Sequence, residues 1–481
     1  STIKHKTKEG PNMRPENENV EKTAADSAKE LAYTKKTVYQ LRSEADIDAA
    51  YDYAHGYMKF LDDAKTEREA VTAGIKLAEV NGFVPYNFGD DIVKGGKYYY
   101  NNRGKNLFLF YIGNSDIKNG IRISAAHIDS PRLDLKQVPL YEDSGMSFLK
   151  THYYGGIRKY QWVATPLALH GVVSKKNGEN VNVVIGEDDN DPVLYINDLL
   201  PHLGHGDDVK PLGTAIPGEK LNLLVGSRPL DDVSDGIKLN VLRILNEKYG
   251  IDEADLLSAE LCAVPLGKAR DAGLDRSMIC GYGHDDRVCS YPALTAMFEA
   301  MGGDNSLLCI LADKEEIGSE GNTGMQCELM LDLIDAIAAS QNASPAVVRL
   351  NSKCLSADVS AAFDPNFSDV FEKRNSSLLS CGVVLTKYTG SRGKGGTSDA
   401  SAEYIGWIRG IMERDEVVWQ AGELGKVDVG GGGTVAKFIA KHNIEVVDLG
   451  VPVISMHAPY EIISKVDLYE AHRAFAAFNK Y

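Results

Sequence analysis

The chain has 481 residues, 43% of them hydrophobic and 25% charged, with a net charge of −16. That length allows two or three domains and a large core. An acidic balance with no Lys/Arg-rich block argues against a nucleic-acid or membrane-surface partner, and no apolar run reaches the roughly 18 residues of a membrane span.

Residues 1–30 are charged and poor in apolar side chains, which predicts a mobile N-terminal arm that is neither secretory leader nor anchor. From Ala45 to Val80 apolar residues recur at helical spacing, as at Ala49, Tyr53, Leu61, Val71 and Ile75, and predict one or two amphipathic helices ended by Asn81-Gly82. Tyr98 to Ile112, broken at Arg103-Gly104, reads as a hairpin. Ile121 to Ala126 reads as a strand running into His127-Ile-Asp129, where Asp129 can bend back to the imidazole. A histidine at a strand end is more often structural than a ligand.

Between about 136 and 258 the texture changes to short strands, turn residues and acidic clusters, which predicts an inserted β-rich domain of the kind that often supplies dimer contacts. His202 and His205 within it are spaced for a metal, but their Pro/Gly surroundings favour a polar loop. All seven cysteines lie between Cys262 and Cys381 with no C-x-x-C pair, as expected of buried thiols in a reducing, cytoplasmic compartment.

The α/β pattern resumes near Ala259. Gly281-Tyr-Gly283 lacks the third glycine of a dinucleotide loop, and Asp285 and Asp286 stand just before a predicted helix carrying Tyr291, Leu294 and Phe298. Leu307 to Ala312 is the pattern of a fully buried strand, and it ends at Glu315-Glu316 before Gly318. Two adjacent carboxylates at the mouth of such a strand repel and are costly to desolvate, so a shared cation or proton is expected. Further on come a helix over Met325–Ala339, a strand over Ala346–Leu350, and Asp358 after another short apolar segment. Lys387, Arg392 and Lys394 concentrate positive charge in a glycine-rich loop suited to a substrate carboxylate. The four glycines before Thr434, Gly432 among them, would let a ligand approach the backbone closely, and a last strand ends at His457.

Strand or segment ends thus supply His127, Asp285, Glu315, Glu316, Asp358 and His457. Open α/β sheets gather sites at the carboxyl ends of their strands. Two histidines with several carboxylates suit a pair of Zn²⁺-like ions, and the Glu315-Glu316 pair divides naturally into a ligand and a proton acceptor.

Ala-His127-Ile-Asp129-Ser-Pro, His284-Asp285-Asp286-Arg287, Glu315-Glu316-Ile-Gly-Ser, Ser356-Ala-Asp358 and Ser-Met-His457 together resemble the metal-site motifs of the aspartyl aminopeptidase and vacuolar aminopeptidase I family. The resemblance covers nearly the whole chain after the arm. It implies a three-layer α/β catalytic domain over 31–135 and 259–481, an inserted β-rich dimerisation domain over 136–258, and a homo-oligomer built from dimers into a tetrahedral dodecamer. It also implies two divalent ions per subunit, zinc by expectation with cobalt or manganese as alternatives.

His127 and Asp358 would hold one ion, His457 and Glu316 the other, and Asp285 would bridge them. Glu315 would be the general base, Asp129 would orient His127, and Asp286 and Arg287 would form a supporting ion pair. The implied reaction removes the N-terminal residue from peptides with a free amine, using metal-activated water. Lys387 and Lys394 would favour an acidic N-terminal residue, whereas the vacuolar branch favours neutral ones such as leucine. His152 or His170 would reach a neighbouring subunit's site. Trp162-Val-Ala-Thr165 departs from the family's charged Trp-Phe-Asp-Arg stretch. The rival readings are a metal-dependent deacylase of acyl amino acids and a catalytically silent scaffold.

Overall fold

A computed structural model describes residues 23–231 and 233–481. It divides into two units, 1–36 and 37–481. In the first, Thr23 caps a helix over Ala24–Glu30, by accepting the Asp26 N–H, where a mobile arm was expected; residues 1–22 of that arm lie outside the described residues.

The second unit is built on a nine-stranded sheet. Its centre is parallel: Ile121–His127 lies between Ser306–Ala312 and Lys353–Ser356, and Lys353–Ser356 pairs in turn with Glu445–Gly450. The hairpin of Lys97–Asn102 and Asn106–Tyr111 continues the sheet antiparallel to Ser306–Ala312. All of Ser306–Ala312 is buried, because both faces are covered. The pleat sends Leu307, Cys309 and Leu311 into one core, with the helices Glu44–Asp63, Glu67–Val80, His284–Ala300 and Lys465–Lys480. Leu308, Ile310 and Ala312 enter the core on the other face, beneath Leu329–Ser340. Helices on both faces of a mixed sheet give the three-layer α/β arrangement.

A separate seven-stranded antiparallel sheet runs from Arg132 to Pro265 around its own core, which includes Leu133, Trp162 and Leu261. It is wider than the 136–258 expected. Ala259–Pro265, expected to resume the α/β pattern, pairs instead with Leu167–Ser174 and Arg132–Asp143. A third sheet of five short strands carries Met278–Gly281 and Glu461–Ser464 side by side.

The segment expected as a strand over Ala346–Leu350 is a helix, Pro345–Asn351. Ser344 and Pro345 open it, proline being favoured in a first turn, and only then does the strand Lys353–Ser356 begin. No disulfide joins the cysteines, which are buried or half-buried. Among the described residues no helix is long and apolar enough to cross a membrane.

Candidate metal centre

Sheet register brings the acids to the histidine. Ala312 pairs with His127 and Ser356 with Ala125, so the chain leaves three neighbouring strands on the same edge as His127, the Glu315-Glu316 turn and Asp358. Lys314 (φ 67°) and Gly318 (φ 99°) bracket that turn in left-handed conformations. Asp285 comes from the start of the His284–Ala300 helix and His457 from the turn after Pro452–Ile454.

The Asp285 carboxylate faces both histidines: Oδ1 lies 3.1 Å from His127 Nε2 and Oδ2 lies 3.1 Å from His457 Nε2. His127 Nε2 is also 3.7 Å from Glu315 and 3.9 Å from Asp358, and His457 Nε2 is 3.4 Å from Glu316. The donor atoms of His127, Asp285 and Asp358 lie within 4.8 Å of one another, as do those of Asp285, Glu316 and His457.

Two further carboxylates hold this set in place. Asp129, fully buried, accepts the N–H groups of Glu315 and Glu316 at 3.1 Å each, and its Oδ1 lies 3.3 Å from His127 Nδ1. Glu461 accepts the N–H groups of Asp285 (3.1 Å) and His457 (2.8 Å). Tyr154 donates to Asp129 at 2.8 Å, and burial beside that carboxylate pushes its phenol pKa further up. His457 Nδ1 lies 2.8 Å from the Gly156 carbonyl.

Charge in this cluster is unbalanced. Burial, reinforced by the Asp285 carboxylate, drives Glu316 well above the usual carboxylate range, and burial with Glu315 does the same to Asp358. Glu315 is pushed up to about 7 by burial despite His127, with Asp285 and Asp129 adding to the rise. Burial would raise Asp285 as well, but the two histidines hold it below its ordinary value. His457 rises to about 10 because Asp285 and Glu316 outweigh its burial.

His127 Nε2, Asp285 Oδ1 and Glu316 Oε1 are all buried without a hydrogen-bond partner. Buried polar atoms that converge without bonding are the signature of a missing cation, and an imidazole and carboxylate donor set suits zinc. The residues fit a divalent metal.

Gly432 lines the same cavity of about 310 Å³ as Asp285, Glu315, Glu316, Asp358 and His457. Lys387 and Lys394 do not line it; both bond Asp399. His152 is exposed, whereas His170 is buried between Glu69 and Glu187. Nor do Asp286 and Arg287 pair with each other. Asp286 accepts the His127 N–H, and the fully buried Arg287 donates to Ser130 Oγ and to the carbonyls of Lys65 and Ile128.

Sequence reasoning missed Tyr154, Glu461 and Asp448. Asp448 is a buried acid lining the cavity, raised to about 6 by burial, with Oδ1 unpartnered. It sits in the strand Glu445–Gly450, which pairs with the strand preceding Asp358, a neighbourhood that only the sheet register reveals.

A three-layer α/β fold that gathers a carboxylate between two histidines, with acids on either side, defines a metal-dependent hydrolase of the aminopeptidase class. The model of the aminopeptidase I zinc metalloproteases (M18) matches residues 60–479, and the chain belongs to that family. It is 48% identical over 453 residues to a probable M18 family aminopeptidase 1 of Clostridium acetobutylicum, covering 92% of this chain and 97% of that protein. It superimposes on the crystal structure of the M18 aminopeptidase of Thermotoga maritima with a TM-score of 0.89 at 42% identity, covering 93% of this chain and all of that one. The yeast mApe1 dodecamer shares the fold, with a TM-score of 0.74 at 20% identity, covering 89% and 97%. The protein is a zinc metallo-aminopeptidase.

Proposed function

We propose that each chain holds two divalent ions, one at His127 and Asp358 and one at His457 and Glu316, with Asp285 between them. The observation that carries this is the Asp285 carboxylate, one oxygen facing each histidine at 3.1 Å, among buried atoms that have no other partner. Zinc at such a site supplies Lewis acidity, lowering the pKa of water and polarising a carbonyl.

Glu315 is the proton carrier. It stands 3.7 Å from His127 at the cavity wall, beside the Asp285 carboxylate between the histidines, where a group that must both take and return a proton is required. It accepts the proton of the attacking water and passes it to the leaving amine. Asp129 and Glu461 keep the participating side chains from relaxing, since each fixes two backbone N–H groups.

The substrate is a peptide with a free N-terminus and a neutral first residue such as leucine. Leu424, Met456, Val359 and the Gly431–Gly433 backbone line the cavity, and no Lys or Arg does among the described residues. An acidic side chain would find no Lys or Arg to pair with there. The seven-stranded sheet serves as a dimerisation region in a homo-oligomer, with a tetrahedral dodecamer as the complete assembly. Exposed His152 is the histidine that extends to a neighbouring subunit, since His170 is enclosed by its own carboxylates.

The test is release of free amino acid from Leu-, Asp- and Glu-starting peptides by the zinc-loaded protein, with an N-acetylated peptide and Glu315→Ala as controls. Release should be greatest from the Leu peptide and vanish in both controls. Equal cleavage of the acetylated peptide would overturn the aminopeptidase reading in favour of a deacylase.

A further inference from the structure

The strand Met146–Tyr154 belongs to the seven-stranded sheet, yet its end and the two glycines after it touch both halves of the metal centre. Tyr154 Oη donates to Asp129 Oδ2 at 2.8 Å, and that same carboxylate faces His127 Nδ1 and holds the Glu315 and Glu316 backbone. Two residues on, the Gly156 carbonyl lies 2.8 Å from His457 Nδ1. The Tyr154 ring is fixed independently of its hydroxyl. The Arg132 guanidinium lies over it at 4.1 Å from the centroid and is itself anchored by Glu67 and Asp134. Gly155 allows the close passage, with φ at 76°; a Cβ there would stand 3.3 Å from Glu316 Cβ.

We infer that Tyr154–Gly156 is a positioning segment through which the seven-stranded sheet orients the imidazoles of both His127 and His457 toward the metals. The physical reason is the two-ended nature of imidazole. A ring whose Nδ1–H is held by an oxygen must present Nε2 as the lone pair, in a fixed direction. For His127 two oxygens of Asp129 share that role, its carbonyl at 3.0 Å from Nδ1 and its carboxylate, steadied by Tyr154, at 3.3 Å; for His457 it is the Gly156 carbonyl. Three consecutive residues therefore serve two sites, and metal affinity depends on how the seven-stranded sheet is aligned with the nine-stranded sheet that carries His127 and the five-stranded sheet that precedes His457.

This inference rests on the metal-centre reading and is tested so that the two can fail separately. Tyr154→Phe keeps the ring under Arg132 and removes one hydrogen bond; Gly155→Ala displaces the segment from the His457 side. Zinc affinity, measured by competition with a chromogenic chelator, should weaken about 10–100-fold in each. For Tyr154→Phe, kcat at saturating zinc should fall with KM little changed, and because the lost hydrogen bond to Asp129 also lowers the melting temperature of the metal-free protein, zinc affinity is the deciding readout. Wild-type zinc affinity in Tyr154→Phe would overturn the inference alone, whether or not the metal-free protein melts earlier. Absence of stoichiometric zinc in the wild type would overturn both.

Discussion

Two clusters of this chain bury histidine among several carboxylates with opposite outcomes. Around His170 every charge has a partner. Its ring nitrogens lie 2.7 Å from Glu69 and 2.9 Å from Glu187, and Lys65 donates to Glu187 and to the carbonyls of Pro265 and Gly267. Around His127 and His457 the acids outnumber the bases, and His127 Nε2, Asp285 Oδ1 and Glu316 Oε1 are among the buried atoms with no hydrogen-bond partner. The first cluster is a seam between the Glu67–Val80 helix and the seven-stranded sheet; the second is a receptacle. Histidine and acid content does not distinguish them, but leftover bonding capacity does.

Removing the shared carboxylate should break the comparison most sharply. Asp285→Ala is expected to lose zinc from both positions and all measurable peptide release, as followed by metal analysis and product assay. Glu315→Gln separates holding from catalysis: kcat should fall about 10²–10⁴-fold while zinc content stays at the wild-type level.

In the seam the pattern should invert. His170→Ala leaves the half-buried Glu69 and Glu187 without the imidazole between them, and should cost about 1–3 kcal/mol in denaturant unfolding of the metal-free protein. Its zinc stoichiometry should remain that of the wild type, and a loss of zinc there would merge the two clusters.

The seam also has its own pH signature. Burial would lower the His170 pKa, but Glu187 and Glu69 raise it above its ordinary value. Burial would raise Glu187, but His170 and Lys65 lower it. A raised histidine contributes stability below its ordinary pKa of about 6.5 and loses it as pH climbs through the folded value. A lowered carboxylate contributes above its ordinary value and loses it as pH falls. The stability gap between wild type and His170→Ala should therefore be widest between about pH 4.5 and 6.5 and narrow toward alkaline pH. The smallest effect is expected at Lys387, which bonds Asp399 away from the cavity: Lys387→Ala should leave the KM for Leu- and Asp-starting peptides unchanged.

Much of the centre was legible because its residues stand just past strand ends. The run Leu307–Ala312 announces a strand covered on both faces, and the Glu315-Glu316 pair just beyond it must lie at an edge. The same logic located His127 and Asp358. It could not say which sheet a buried run joins, so Ala259–Pro265 fell on the wrong side of the division: seven nearly continuous apolar positions look alike in either sheet. Val347-Val348 suggested a strand, and the Ser344-Pro345 start signal was the stronger cue.

Sequence by itself determined the family to which the motifs point, and it offered a candidate donor set in chain order, because ligand chemistry is a property of residue types. Tertiary structure alone decided which of the similar residues come together. His170 differs from His127 only in what surrounds it, Lys387 is spent on Asp399, and Arg287 bonds backbone carbonyls rather than Asp286. Tyr154 and Glu461 act across sheet boundaries, through contacts between segments far apart in sequence. Hydrogen bonding and desolvation depend on distances of a few ångström, which local sequence does not encode.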